Sequence, residues 1–185
     1  MCKKMTQKTQ KLTFSALLAV LCLILGFLES RFVLVPSVPG IRLGLSNVTV
    51  LLALWLVSPA CAWCITILKA VLGGLIFSGA SGIPYAVCGG LCAMTVMLLL
   101  RSGGFSTVSV SAGGACAHTI GQLVCARFML GTWSMLAYAP LLLLCSTLSG
   151  VLTGTAAHAA GQALSQAFPA LHAHGSCKRT KNASS

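Results

Sequence analysis

The sequence predicts an all-α integral membrane protein, a bundle of six transmembrane helices with both termini in the cytoplasm. Three observations carry that prediction. Of the 185 residues, 57% are hydrophobic and only 7% charged, whereas an ordinary soluble domain carries about a quarter charged residues. The apolar residues fall into six runs divided by glycine, proline and serine, and a chain of this length holds about six spans of roughly 20 residues. The net charge of +11 gathers at the ends: Lys3, Lys4, Lys8 and Lys11 precede the first run, and Lys178, Arg179 and Lys181 follow the last. That distribution reads as topology information under the positive-inside rule. It lacks the basic stripe with interleaved aromatics that marks nucleic-acid binding, so no nucleic-acid partner is expected.

Glu29 is the one acidic residue, and no aspartate occurs. Paired-carboxylate catalysis, an acidic metal cluster and a Ser/His/Asp triad are thereby removed. No G-x-x-x-x-G-K-[ST] loop is present to bind ATP. Neither enzymatic activity nor a cofactor is expected, and any active transport would need ATPases from other chains. The chain divides into a basic cytoplasmic amino terminus (1–11), a membrane domain (12–160) and a polar cytoplasmic tail (161–185).

The first span is expected over residues 12–28. It reads as an uncleaved helix, because no small-x-small cleavage signal follows in residues 26–31 and further spans come after it. Leu21 before Cys22 makes a poor lipobox. Pro36, Pro39 and Gly40 break residues 29–40 into a long loop that could act as a lid on the outer face. The second span is expected over 41–57, ending at Ser58-Pro59, and the third over 60–77, followed by the small-residue loop 78–82. The fourth covers 84–100, closed by Arg101 and the Ser102-Gly103-Gly104 turn. The fifth covers 108–130 and the sixth 135–160. An even count places both termini inside with Arg101, and leaves Arg31 and Arg42 outside with Arg127 near that surface. A multi-pass protein of the cell membrane, with the lipid bilayer as its solvent, is the result.

Several polar groups fall where lipid would penalise them. Lys69 lies about 13 Å along the third span, near the midplane, where a lysine costs roughly 2.5 to 3.5 kcal/mol. Thr66, Lys69 and Gly73 share its face, which suits either an anchor for an anionic substrate or a lysine bonded to backbone carbonyls. In the fifth span Ser111, Gly114, His118, Gly121, Gln122 and Cys125 share one face, and Ile120, Leu123 and Val124 point away. His118 and Gln122, one turn apart, suit a ligand contact or an interhelical hydrogen bond. Arg42, Ser46 and Thr49 share a face near the outer end of the second span, with Asn47 close by. The candidate substrate-binding set is therefore Arg42, Ser46, Asn47, Lys69, His118 and Gln122. Glu29 and Arg31 read as an exposed pair of little consequence, and Arg127 as an interface anchor.

Ser15 and Ala19 in the first span, and Ser146, Gly150 and Gly154 in the sixth, repeat small residues at every fourth position, as closely packed helices do. The ten cysteines mostly lie inside spans, where cysteine behaves as a small hydrophobe. Cys61-Ala62-Trp63-Cys64 has thioredoxin-like spacing without the βαβ context. His172, His174 and Cys177 are soft-metal ligand types in a polar tail, and His158 reads as an inner-interface residue. No metal site is expected.

Three segments together resemble a known family: Pro39-Gly40-Ile41-Arg42-Leu43-Gly44-Leu45-Ser46-Asn47, Leu68-Lys69-Ala70-Val71-Leu72-Gly73 and Ala115-Cys116-Ala117-His118-Thr119-Ile120-Gly121-Gln122-Leu123. Over about residues 11–161 the chain resembles the Gx transporter family, often labelled heptaprenyl diphosphate synthase component I. That family is similar to the substrate-binding S components of energy-coupling factor transporters. The resemblance implies a six-helix subunit that captures a small-molecule substrate outside and works with a transmembrane coupling protein and two ATPases. It also implies that Ser15, Ala16 and Ala19 face that coupling protein. The function expected is uptake of a small anionic or polar solute. The alternative that the label implies is an accessory membrane component of heptaprenyl or polyprenyl diphosphate synthesis, on the way to quinones. A catalytic prenyl synthase holds magnesium through aspartate-rich motifs, and hard cations require such oxygen ligands, so a chain without aspartate is not that subunit by the usual chemistry. A third reading is a structural bundle whose buried polar groups are packing glue.

Overall fold

The computed structural model describes residues 2–31, 44–78, 81–131 and 137–167, and among them every regular element is helical. Helix α1 spans Cys2–Arg31, longer at both ends than the expected span. The basic stretch before residue 12 is rich in lysine, glutamine and methionine, which are good helix formers, so it continues the helix rather than forming a separate segment. Glu29 likewise belongs to the last turn of α1 and not to a loop. Ser30 and Arg31 end the same helix, and residues 32–40 of the expected lid, like Arg42, lie outside the described residues.

Helix α2 spans Leu45–Leu52, starting later than residue 41 among the described residues. Gly44 immediately before it is left-handed at φ 68°, a conformation that costs other residues and ends helical propagation at that point. A π-helical turn, Ala53–Val57, continues α2, and there Ser58 donates its N–H to the Ala53 carbonyl at 3.1 Å. The wider turn diverts the donor that Leu54 would use, and the next residue, Pro59, has no N–H. Arg101 supplies the missing donor, with Nη1 on the Leu54 carbonyl and its guanidinium 4.9 Å from the Trp55 ring centre, within cation–π range. This contact places the α2–α3 and α4–α5 connections at one end of the bundle.

Helix α3 spans Pro59–Gly73. Ser58 caps it, accepting the Cys61 N–H at 3.2 Å, and proline at the first helical position is pre-set for such a start. A second π-helical turn, Gly74–Ser78, follows. Helices α4 (Gly82–Ser102), α5 (Thr107–Leu130) and α6 (Ala139–Ala167) complete the bundle. Helix α6 begins after the expected residue 135, and residues 132–136 lie outside the described set. Helices α4, α5 and α6 pack as successive neighbours, while α1 packs on α2 and α3.

Among the described residues four helices are long and apolar enough to cross a membrane: Leu12–Glu29 of α1, Pro59–Ile76, Gly82–Ser102 and Ala139–Leu164. Leu45–Val57 is apolar but shorter. Helix α5 is about 36 Å long, yet Ser109, Ser111, His118, Gln122 and Arg127 make it more polar than those four. Its outer face, including Ile120, Val124 and Phe128, is exposed, as are Leu17, Val20 and Ile24 of α1. In a soluble protein such surface would be a liability; against hydrocarbon it is the solvent-exposed side. The dry core, with Leu18, Cys22, Leu51, Leu54, Ile65, Met94, Met97 and Val110, draws on α1 to α5 and is closed by Ala157 of α6.

Candidate functional site

A cavity of about 110 Å³ lies within the bundle, towards the end where α1 stops and α2 starts, and all six helices line it. Small residues make the space: Gly26, Gly44, Gly73, Gly74, Gly90 and Gly150 all border it. Val50, Met94 and Met97 belong both to the cavity wall and to the dry core, so they form its apolar floor. An apolar cavity of about 150 Å³ accepts benzene; this one is of similar scale but carries polar walls, which suits a compact hydrogen-bonding solute.

Five of the six sequence-predicted binding residues reach this cavity: Ser46, Asn47, Lys69, His118 and Gln122. Arg42 lies outside the described residues. Lys69 is half-buried and donates from Nζ to Asn47 Oδ1 at 2.6 Å. A side chain of the neighbouring helix, rather than a backbone carbonyl, therefore answers the ammonium. Thr66 and Gly73 line the same wall, so the predicted stripe on α3 faces one space.

On α5, Ala115, His118, Thr119 and Gln122 line the cavity, whereas Ser111, Gly114, Gly121 and Cys125 are buried against neighbouring helices. His118 and Gln122 lie across Gly89 of α4, where an added methyl would stand 2.9 Å from His118 Cε1 and 2.8 Å from Gln122 Cγ. The missing side chain at Gly89 thus leaves the room that both side chains occupy. From α6, Ser146, Ser149 and Thr153 contribute hydroxyls to the wall. Thr153 is itself 3.1 Å from the Ser111 hydroxyl.

Sequence reasoning missed the role of Glu29. Far from being an exposed pair member, it is 7% exposed and borders the cavity. Its Oε1 accepts the Leu45 N–H at 2.8 Å, and its Oε2 accepts the Ser46 hydroxyl at 2.9 Å and the Ser46 N–H at 3.4 Å. A carboxylate from the end of α1 thus caps the start of α2, where free N–H groups and the helix dipole favour negative charge. A signal was available: Leu18, Cys22, Gly26 and Glu29 fall on one helical face, and the first two are buried in the core.

The remaining assignments separate. Ser15 accepts a hydrogen bond from the Cys61 thiol at 3.1 Å, Ala19 is half-buried against the core, and Ala16 is exposed. Helix α1 therefore turns Ser15 and Ala19 toward the bundle, and only Ala16 of the three lies on its outer surface. Arg127 stands on the opposite side of α5 from the cavity, in an apolar surface groove with Val124, Phe128 and Leu143. His158 is exposed, 3.1 Å from Gln162 on the same helix. Among the described residues the cysteines are free thiols and no three His, Cys or Glu side chains converge as a metal site. His172, His174 and Cys177 lie outside the described residues.

A family model described as heptaprenyl diphosphate synthase component I matches residues 18–160, which includes every described residue lining the cavity. No curated protein and no solved structure matches the chain.

Proposed function

The chain belongs to the heptaprenyl diphosphate synthase component I family, small membrane proteins of the Gx transporter type, and from that membership we propose that it is a solute-binding membrane subunit. The observation that carries this reading is the cavity within the bundle, in whose wall Lys69, His118 and Gln122 converge from α3 and α5. Ionisable groups inside a membrane bundle are expensive and are retained where they serve a ligand or an ion. The solute is small and polar, captured from the outer face, and its uptake is energised by a coupling protein and ATPases of other chains. All six helices span the bilayer of the cell membrane in this reading, with both termini in the cytoplasm. Ala16 and the exposed face of α1 are the surface offered to the coupling protein, and Ser15 and Ala19 support it from behind.

The family description favours a second reading, an accessory membrane component of heptaprenyl diphosphate synthesis. Proteins recovered with the chain in mild detergent separate the two: a coupling protein with ATPases supports uptake, and an aspartate-rich prenyl synthase supports the alternative.

The binding test starts from a screen of small solutes for thermal stabilisation, since a ligand that binds only the folded state raises the melting temperature by mass action. Lys69→Met is expected to weaken the solute found by about tenfold to a hundredfold, as befits a charge-assisted hydrogen bond of roughly 1.5 to 3 kcal/mol. His118→Ala is expected to cost less. Because Lys69→Met also removes a costly charge, the empty variant is expected to melt at an equal or higher temperature. A Lys69→Met protein that unfolds, beside a Gln122→Leu protein that binds normally, would make these groups structural. The orientation is checked by thiol labelling in intact cells: Cys2 and Cys177 are expected to react only after the membrane is permeabilised.

A further inference from the structure

We infer that the cavity takes a zwitterion, a compact solute carrying both an ammonium and a carboxylate, with Glu29 receiving the cationic group and Lys69 the anionic one. The inference deepens the solute-binding reading and rests on it.

The chain's one acid and its mid-bundle lysine border the same cavity. They bracket the first turn of α2: Glu29 holds Leu45 and Ser46, and Lys69 holds the next residue, Asn47. Among the described residues the two charges do not pair with each other; their hydrogen bonds all go to that turn. Both groups keep capacity. A carboxylate oxygen offers two acceptor sites, and among the described residues Glu29 Oε1 takes a single donor, the Leu45 N–H. An ammonium offers three N–H donors, of which Lys69 gives one to Asn47.

Each charge has lost part of its hydration to the protein, so each gains from a ligand group of opposite sign. A monoanion would satisfy Lys69 while bringing negative charge towards Glu29, and a simple amine would meet the converse repulsion. A site with one fixed charge of each sign discriminates by that repulsion as much as by attraction. His118 and Gln122 of α5 also line the cavity, and its volume of about 110 Å³ limits the solute to a compact one.

The experiment uses the purified full-length chain in lipid nanodiscs and a matched panel. Glycine, alanine, β-alanine, 4-aminobutyrate and 5-aminovalerate are the zwitterions. Acetate, propionate, butyrate and valerate are the anions, and the corresponding alkylamines are the cations. At least one zwitterion is expected to bind, with its matched anion and amine tenfold or more weaker. Glu29→Gln is expected to weaken that zwitterion by about tenfold to a hundredfold while leaving the matched anion unchanged or tighter; Lys69→Met is expected to weaken both. A merely structural carboxylate would lower both affinities alike in Glu29→Gln. Equal binding of anion and zwitterion by the unmodified protein overturns the inference and leaves the solute site standing. Unchanged zwitterion affinity in Glu29→Gln does the same. Absence of binding by every member of the panel overturns the inference as well, and the broader solute screen then decides the site by itself. If Glu29→Gln does not fold, the comparison on the unmodified protein still decides.

Discussion

A chain carrying both Gly150→Leu and Gly154→Leu is expected to yield little folded protein in detergent. At Gly150 an added methyl would stand 2.8 Å from the Ala112 Cα and 2.8 Å from the Ala115 Cβ; at Gly154 it would stand 2.9 Å from the Val108 Cα and 2.8 Å from the Ser111 Cβ. These neighbours are backbone atoms and first side-chain carbons of α5, so no rotamer change relieves the overlap. The helices must separate instead. Overpacking costs typically about 1 to 3 kcal/mol per site, and two sites on one seam approach the roughly 5 to 15 kcal/mol that holds a domain together. The separation would also open the hydroxyl contact between Ser111 and Thr153. Ala156→Leu and Ala159→Leu, at exposed positions of the same helix, are expected to change stability by less than about 0.5 kcal/mol. Size-exclusion profiles and melting temperatures measure both. A double leucine variant that melts with the parent would show that α5 and α6 do not meet at these glycines.

Glu29→Ala is expected to be the most damaging single change at the cavity. It removes the acceptor of the Leu45 N–H, the Ser46 N–H and the Ser46 hydroxyl at once. Leaving a buried donor unpaired costs about 1 to 3 kcal/mol, so a loss of several kcal/mol follows. At about 2 to 4 °C per kcal/mol for a chain of this size, the melting temperature is expected to fall by roughly 10 °C. Glu29→Gln retains an acceptor oxygen and is expected to lose less than half of that. A Glu29→Ala variant with unchanged melting would mean that the start of α2 does not depend on α1. The gap between alanine and glutamine separates this stability role from the ligand role, in which charge itself matters.

Much of this architecture was legible in the chain. Scarcity of charge and the spacing of apolar runs determined an all-helical membrane protein, and turn residues such as Ser58-Pro59 and Ser102-Gly103-Gly104 marked breaks between its helices. Helical phase determined that Thr66, Lys69 and Gly73 share one face and that His118 and Gln122 share another, while Ile120 and Val124 look outward. The small residues Gly150 and Gly154 announced a close helix contact. These features depend on positions a few residues apart on one helix, whose geometry is nearly the same wherever the helix lies.

The tertiary structure decided what depends on two helices meeting. Glu29 is buried because the last turn of α1 abuts the first turn of α2, across a stretch whose path no periodicity describes. Asn47 answers Lys69 because α2 and α3 lie side by side at that level. The Arg101 contact arises from a backbone event, the π-helical turn that orphans the Leu54 carbonyl, and a side-chain pattern carries no record of which carbonyl loses its donor. A hydrogen bond needs its partners placed to within about half an ångström. Sequence alone sets the faces that helices present, and only their packed arrangement sets which atoms on those faces come within that distance.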